Sequence, residues 1–156
     1  MFRHNRFPAR VFSETLAATA ASSVALALAA RLQGRGALQP VNATSHWLNG
    51  ETAAEEIGAE WRTTGVGLLT HLAATGFWAV IYDVWLRRGD GTKADVIGKA
   101  AVMAGVSALV DYRATPKRFT PGWEFVLTPA AMGLVYLALG AGLAVGAAEA
   151  ARPQRV

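Results

Sequence analysis

At 156 residues the chain holds one domain's worth of material, and 53% of it is apolar against 17% charged, below the roughly 25% charged residues of ordinary soluble domains. A net charge of +4 would suit a nucleic-acid partner. The basic residues, however, flank long apolar runs instead of forming one patch, which favours anionic lipid headgroups and argues against nucleic acid. The chain has no cysteine, which excludes disulfides, thiolate zinc, iron–sulfur clusters and covalently attached haem.

Residues 1–12, MFRHNRFPARVF, are basic and aromatic. Ser13 reads as an N-cap, with Glu14 near the positive end of the helix that follows. The apolar run TLAATAASSVALALAA then predicts a first membrane span over roughly 14–31. A signal peptide has the same order of basic and apolar regions, but this run is longer than a typical signal core, so a retained span is expected. Its Ala, Ser and Thr residues allow close helix packing. An outer loop follows over 32–63, beginning with the Gly, Pro and Asn of irregular structure. Within it, ETAAEEIGAEW predicts a short acidic amphipathic helix, and Trp47 and Trp61 are placed to anchor the loop at an interface.

Residues 64–86, TGVGLLTHLAATGFWAVIYDVWL, have the length of a bilayer-crossing helix. At about 100° per residue, His71 shares a face with Gly67, Ala74, Thr75, Trp78, Tyr82 and Trp85. That face is polar and aromatic, whereas Leu69, Leu72, Ala73, Gly76 and Val80 make an aliphatic one. A stripe of this kind turns toward other helices, a ligand or a partner. After a Gly-containing turn, a third span is expected over 95–112, with Lys99 snorkelling to the nearer surface. A proline-punctuated connection leads to a fourth span over 128–148, where Thr128 caps and Pro129 takes the first helical position. Gly142 and Gly146 form a GxxxG pair within it.

The expected fold is therefore all-α: a single-domain integral membrane four-helix bundle over 1–156. With the N-terminus inside, the inner segments hold eight lysines and arginines (Arg3, Arg6, Arg10, Arg87, Arg88, Lys93, Arg152, Arg155). The outer segments hold six (Arg31, Arg35, Arg62, Arg113, Lys117, Arg118). That balance predicts a multi-pass protein with both termini inside.

His71 then lies about 10 Å in from the outer face at 1.5 Å per residue. Asn42, Ser45, His46, Asp111, Tyr112, Arg113 and Glu124 fall on the same side, so one outer-leaflet cavity can gather them. Asp83 lies about 18 Å further along the helix and reads as an ion-pair partner of Arg87. His71 is open to three roles: an interhelical hydrogen bond, a ligand contact or a proton relay. Gly67 leaves room above the imidazole for a flat tetrapyrrole or a lipid, against which Trp78 would pack. A bis-histidine haem would need a second intramembrane histidine, and no spacing supports a metal site. His46 reads as a loop histidine, and the sequon at Asn42 as accidental. Arg113, Lys117 and Arg118 suit headgroup contact or recognition of a ligand phosphate. Ligand-binding candidates are thus Gly67, His71, Thr75, Trp78, Tyr82, Arg113, Lys117 and Arg118. Catalytic candidates are His46, His71 and Asp111, although no nucleophile–base pair stands at a diagnostic spacing.

The segments NATSHWLNG and TPKRFTPGWE resemble stretches of small uncharacterised bacterial inner-membrane proteins. That resemblance implies four spans and the bacterial inner membrane, and no chemistry. Three functions are expected in descending order. The first is a non-enzymatic subunit or scaffold of a larger membrane complex, or a binder of a lipid or pigment along the His71 face, with lipids and other subunits or a second copy as partners. The second is a small proton-linked transporter or channel. The third is a membrane enzyme acting on a lipid from the outer face.

Overall fold

The structure, a computed structural model, describes residues 7–151, and all regular structure among them is helical. Four long helices account for most of it: α1 (Phe7–Leu32), and, after two short helices α2 (Gln39–Ala43) and α3 (His46–Asn49), α4 (Val66–Leu86), α5 (Lys93–Leu109) and α6 (Pro129–Ala151). Arg3, Arg6, Arg152 and Arg155, half of the expected inner charge, lie outside the described residues. Three helical stretches, Phe7–Leu32, Trp61–Leu86 and Pro129–Ala151, are long and apolar enough to cross a membrane. The third expected span, α5, is not among them.

α1 packs most extensively on α6, and also on α4, while α5 lies against α6 and α4. The α1–α6 seam follows from residue size. Glu14, Ala18, Ser22, Leu26 and Ala30, spaced four apart, are the buried stripe of α1. Opposite them, a Cβ at Gly142 would stand 2.4 Å from Ala18 Cα, and one at Gly146 would stand 2.4 Å from Glu14 Cα. The GxxxG pair is therefore a contact inside this chain. Ser13 does not cap a helix: α1 already begins at Phe7, and the Ser13 hydroxyl donates to Gly146 O at 3.0 Å. Gly140 is also tight, since a Cβ there would stand 2.8 Å from Ala100 O of α5.

The two longer connections meet at one end of the molecule, the loop end, where the Thr128 N–H donates to Gln33 Oε1 at 3.1 Å. The 87–92 turn and the start of α1 lie at the other, the turn end. There Thr92 caps α5, its hydroxyl accepting the Asp95 N–H. Thr92 also hydrogen-bonds the carboxylate of exposed Asp90, through its backbone first and its side chain second, and holds that carboxyl below its usual range.

One expectation about a local element is corrected, and two details of the helix ends are added. The acidic segment forms only a short 3-10 turn, Glu51–Glu55, and then runs extended. The fully buried Asn42 amide takes the carbonyl oxygens of Glu56 and Gly58, at 2.8 and 3.0 Å, that a continuing helix would need. The second and third long helices have wide turns at the loop end, Trp61–Gly65 and Val110–Ala114, that carry i→i+5 bonds. α6 starts at Pro129, and Trp123–Phe125 is a separate turn, so the proline opens a helix and kinks none.

Candidate functional site

The connections at the loop end form a roof. Trp123 Nε1 donates to Thr44 Oγ1 at 3.1 Å, and Arg118 Nε donates to Trp47 O at 3.3 Å. His46 Nδ1 and Nε2 lie 3.0 and 3.1 Å from Ala43 O and Lys117 O. Gly122 makes the approach possible. Its φ is +78°, and a Cβ there would stand 2.4 Å from Ala43 O and 2.8 Å from His46 Nδ1. NATSHWLNG and TPKRFTPGWE thus fold against each other.

Beneath the roof is a cavity of about 340 Å³, within the size range of small-molecule sites. Thr70, His71, Ala74, Thr75 and Trp78 of α4 form one wall, and Tyr136 and Leu139 of α6 another. Asp111, at the end of α5, closes a corner, and Thr44, Trp47, Phe119, Thr120, Pro121 and Trp123 form the ceiling. Ala74 and Phe119 are exposed, so the mouth opens beside them. His71 lies edge-on to Trp123 at 5.6 Å, and Trp123 packs on Tyr136 at 5.3 Å.

The hydrogen bonds fix what the cavity offers. The Ser22 Oγ is 2.7 Å from Ala18 O and 2.8 Å from His71 Nε2. A carbonyl only accepts, so the single hydroxyl proton points at Ala18 and Ser22 accepts from His71. His71 therefore donates from Nε2, and in the neutral imidazole Nδ1, to which no hydrogen bond is made among the described residues, is the acceptor. Tyr136 donates to Asp111 Oδ2 at 2.7 Å. Thr70 donates to Val66 O and receives the Trp47 indole N–H, and Thr75 donates to His71 O.

Of the sequence candidates, the structure gathers His71, Thr75, Trp78 and Asp111 around one cavity. It separates the others from it. The space over Gly67 is filled by α2: a Cβ there would stand 2.0 Å from Val41 O, which leaves no room for a tetrapyrrole above His71. Tyr82 lies toward the turn end and donates to Val96 O at 2.9 Å. Arg113, Lys117 and Arg118 are exposed and do not line the cavity. His46 is a buried roof staple and not an exposed loop residue, and Asn42 and Ser45 are fully buried tethers of the same roof, so the sequon asparagine is inaccessible. Glu124 accepts from the Thr120 hydroxyl. Among the described residues no three His, Cys, Asp or Glu side chains gather to hold a metal.

Sequence reasoning missed Ser22, Trp123 and Tyr136. Tyr136 had a signal, as the one hydroxyl-bearing side chain of the fourth apolar run beyond its capping Thr128. It also missed half of a second polar centre. Asp83 is fully buried and pairs with Arg87 Nε at 2.8 Å, as expected, and also with Arg10 Nε at 2.7 Å. Glu14, also fully buried, stands 4.0 Å from Arg10 Nη2, and its carboxylate oxygens accept no hydrogen bond among the described residues. A space of about 530 Å³ nearby, between Arg10, α5 and α6, is walled mainly by aliphatic side chains.

Comparison of the chain with protein-family models, curated proteins and solved structures finds no match.

Proposed function

We propose that the chain is a four-span integral membrane protein of the bacterial inner membrane, with both termini inside, that binds an amphipathic small molecule taken from the outer leaflet. Membrane insertion is supported by three helical stretches of spanning length and by large apolar side chains left on the outside, among them Leu28, Leu69, Phe77, Leu134 and Leu137. The packing of α5 against α4 and α6 supports counting it as the fourth span, with the ion-paired Lys99 and Asp95 (2.8 Å) near its inner end. The observation that carries the binding reading is the His71 cavity. Its mouth at Ala74 is eight residues, about 12 Å, along α4 from Val66, a depth at which an amphiphile enters sideways from lipid.

This favours the ligand-binding arm of the first expectation over the scaffold arm. Gly67, His71, Thr75, Trp78 and Tyr82 of the His71 stripe are buried against this chain's own helices and cavity. The test is purification from membranes in mild detergent, followed by an absorption spectrum and mass spectrometry of what accompanies the protein. The expected result is a stoichiometric small molecule that is lost from Ala74→Trp, a change that closes the mouth from an exposed position. A preparation with no small molecule in either form would overturn the proposal.

One observation favours the second reading, proton-linked transport: Glu14 lies eight residues below Ser22 on the same buried stripe of α1. Proton-coupled flux in proteoliposomes abolished by both His71→Ala and Glu14→Gln would establish it, and flux untouched by either would remove it.

A further inference from the structure

We infer that the cavity selects an amphiphile with a hydrogen-bond-donating cationic head, an ammonium group on an apolar body; this inference rests on the amphiphile-binding reading above. All but one of the side-chain N–H and O–H groups around the cavity are already committed within the protein. The hydroxyls of Thr70 and Thr75 donate to helix carbonyls, Tyr136 donates to Asp111, and the indoles of Trp47 and Trp123 donate to threonines. Thr44 donates to Pro40 O, and Thr120 to Glu124. Of the side chains that line the cavity, Trp78 alone has an N–H or O–H that finds no acceptor among the described residues.

Apart from that one indole N–H, what remains for a ligand is acceptor capacity: His71 Nδ1, on a side chain only 4% exposed, and the second oxygen of the Asp111 carboxylate. A group with N–H donors satisfies both, whereas an anion or a pure acceptor would leave them unpaired. Charge decides between ammonium and alcohol. Asp111 brings a carboxylate to the cavity, and Trp78, Trp123 and Tyr136, aromatic rings of the kind that attract cations, line it.

The test is calorimetric titration of the full-length protein, in phosphatidylcholine nanodiscs, with n-octylammonium, n-octanol and n-octyl sulfate. Binding is scored as the saturable part absent from Ala74→Trp. The expected result is ammonium binding at least tenfold tighter than alcohol, no saturation by the sulfate, and a fall to the alcohol's affinity in Asp111→Asn. Equal affinities for ammonium and alcohol, or a preference for the sulfate, would overturn the cationic assignment and leave the cavity as an amphiphile site. No saturable binding of any of the three would overturn the cavity reading itself. The ligand comparison is made on the unaltered protein, so a poorly folded variant cannot decide it. A lipid headgroup and a free amphiphilic amine present the same chemistry, and phosphatidylethanolamine in the nanodisc separates them. A tenfold weakening of octylammonium by that lipid identifies the headgroup as occupant, and an unchanged affinity identifies the free amine; both uphold the assignment.

Discussion

The Ser22–His71 contact sets the chemistry of the cavity, because one hydroxyl proton cannot serve two acceptors. With that proton on Ala18 O, the imidazole must donate from Nε2 and present Nδ1. Nitrogen-15 NMR of histidine-labelled protein should therefore show His71 protonated on Nε2 alone; the opposite tautomer would remove the acceptor on which the ligand argument depends. Ser22→Ala should leave a buried N–H unpaired and cost about 1 kcal/mol in unfolding stability. Gly67 makes a sharper case. Its missing Cβ would meet Val41 O, a backbone atom that cannot turn aside, so Gly67→Ala should cost about 1–3 kcal/mol by thermal unfolding in detergent.

Among the elements, α1 is held at two levels along one stripe. Toward the turn end, Arg10 and Arg87 neutralise Asp83, whose carboxylate is completely buried. Asp83→Asn should remove the charge and one of the two acceptor oxygens that the guanidinium groups share, and cost about 3 kcal/mol. Glu14→Gln should cost far less, since the one ion pair of the Glu14 carboxylate among the described residues, with Arg10, is 4.0 Å long. Higher along the seam, small residues let the α1 and α6 backbones touch. Gly142→Leu should lower the unfolding temperature sharply, because its side chain would have to occupy the position of Ala18 Cα. Gly105 has open space around it, so Gly105→Ala should raise stability by about 0.5–1 kcal/mol through helix propensity alone. Equal effects of the Gly142 and Gly105 substitutions would contradict the seam.

For the molecule as a whole, the absence of cysteine makes topology directly measurable. Single cysteines at exposed Thr52 and Asp90 should react with an impermeant thiol reagent from the outside and from the inside respectively, and a cysteine at Ala151 should behave like Asp90 if α5 completes a fourth span. Much of this architecture was legible in the sequence. Hydropathy placed the long helices, Pro129 placed the start of α6, and the α4 wheel put His71, Thr75 and Trp78 on one face, which the structure turns into a cavity wall. What the sequence could not supply were contacts made across large chain separations. Asn42 overrides a helical pattern near Glu56 by taking its carbonyl oxygens, and α2 fills the space above Gly67. Arg10 reaches Asp83 only because α1 begins a full two turns earlier than its apolar run suggests. Each depends on which loop or helix arrives beside a residue, and local periodicity carries no record of that.

The account turns on whether an amphiphile sits inside the helices or merely against them. Photolabelling in nanodiscs with an octyl chain bearing a diazirine and an ammonium head, followed by peptide mapping, distinguishes the two. The predicted labels fall on cavity-lining Trp78, Trp123 and Leu139 and disappear in Ala74→Trp. Labels confined to the outward-facing Phe77, Val80, Leu134 and Leu137, unchanged in that variant, would contradict it.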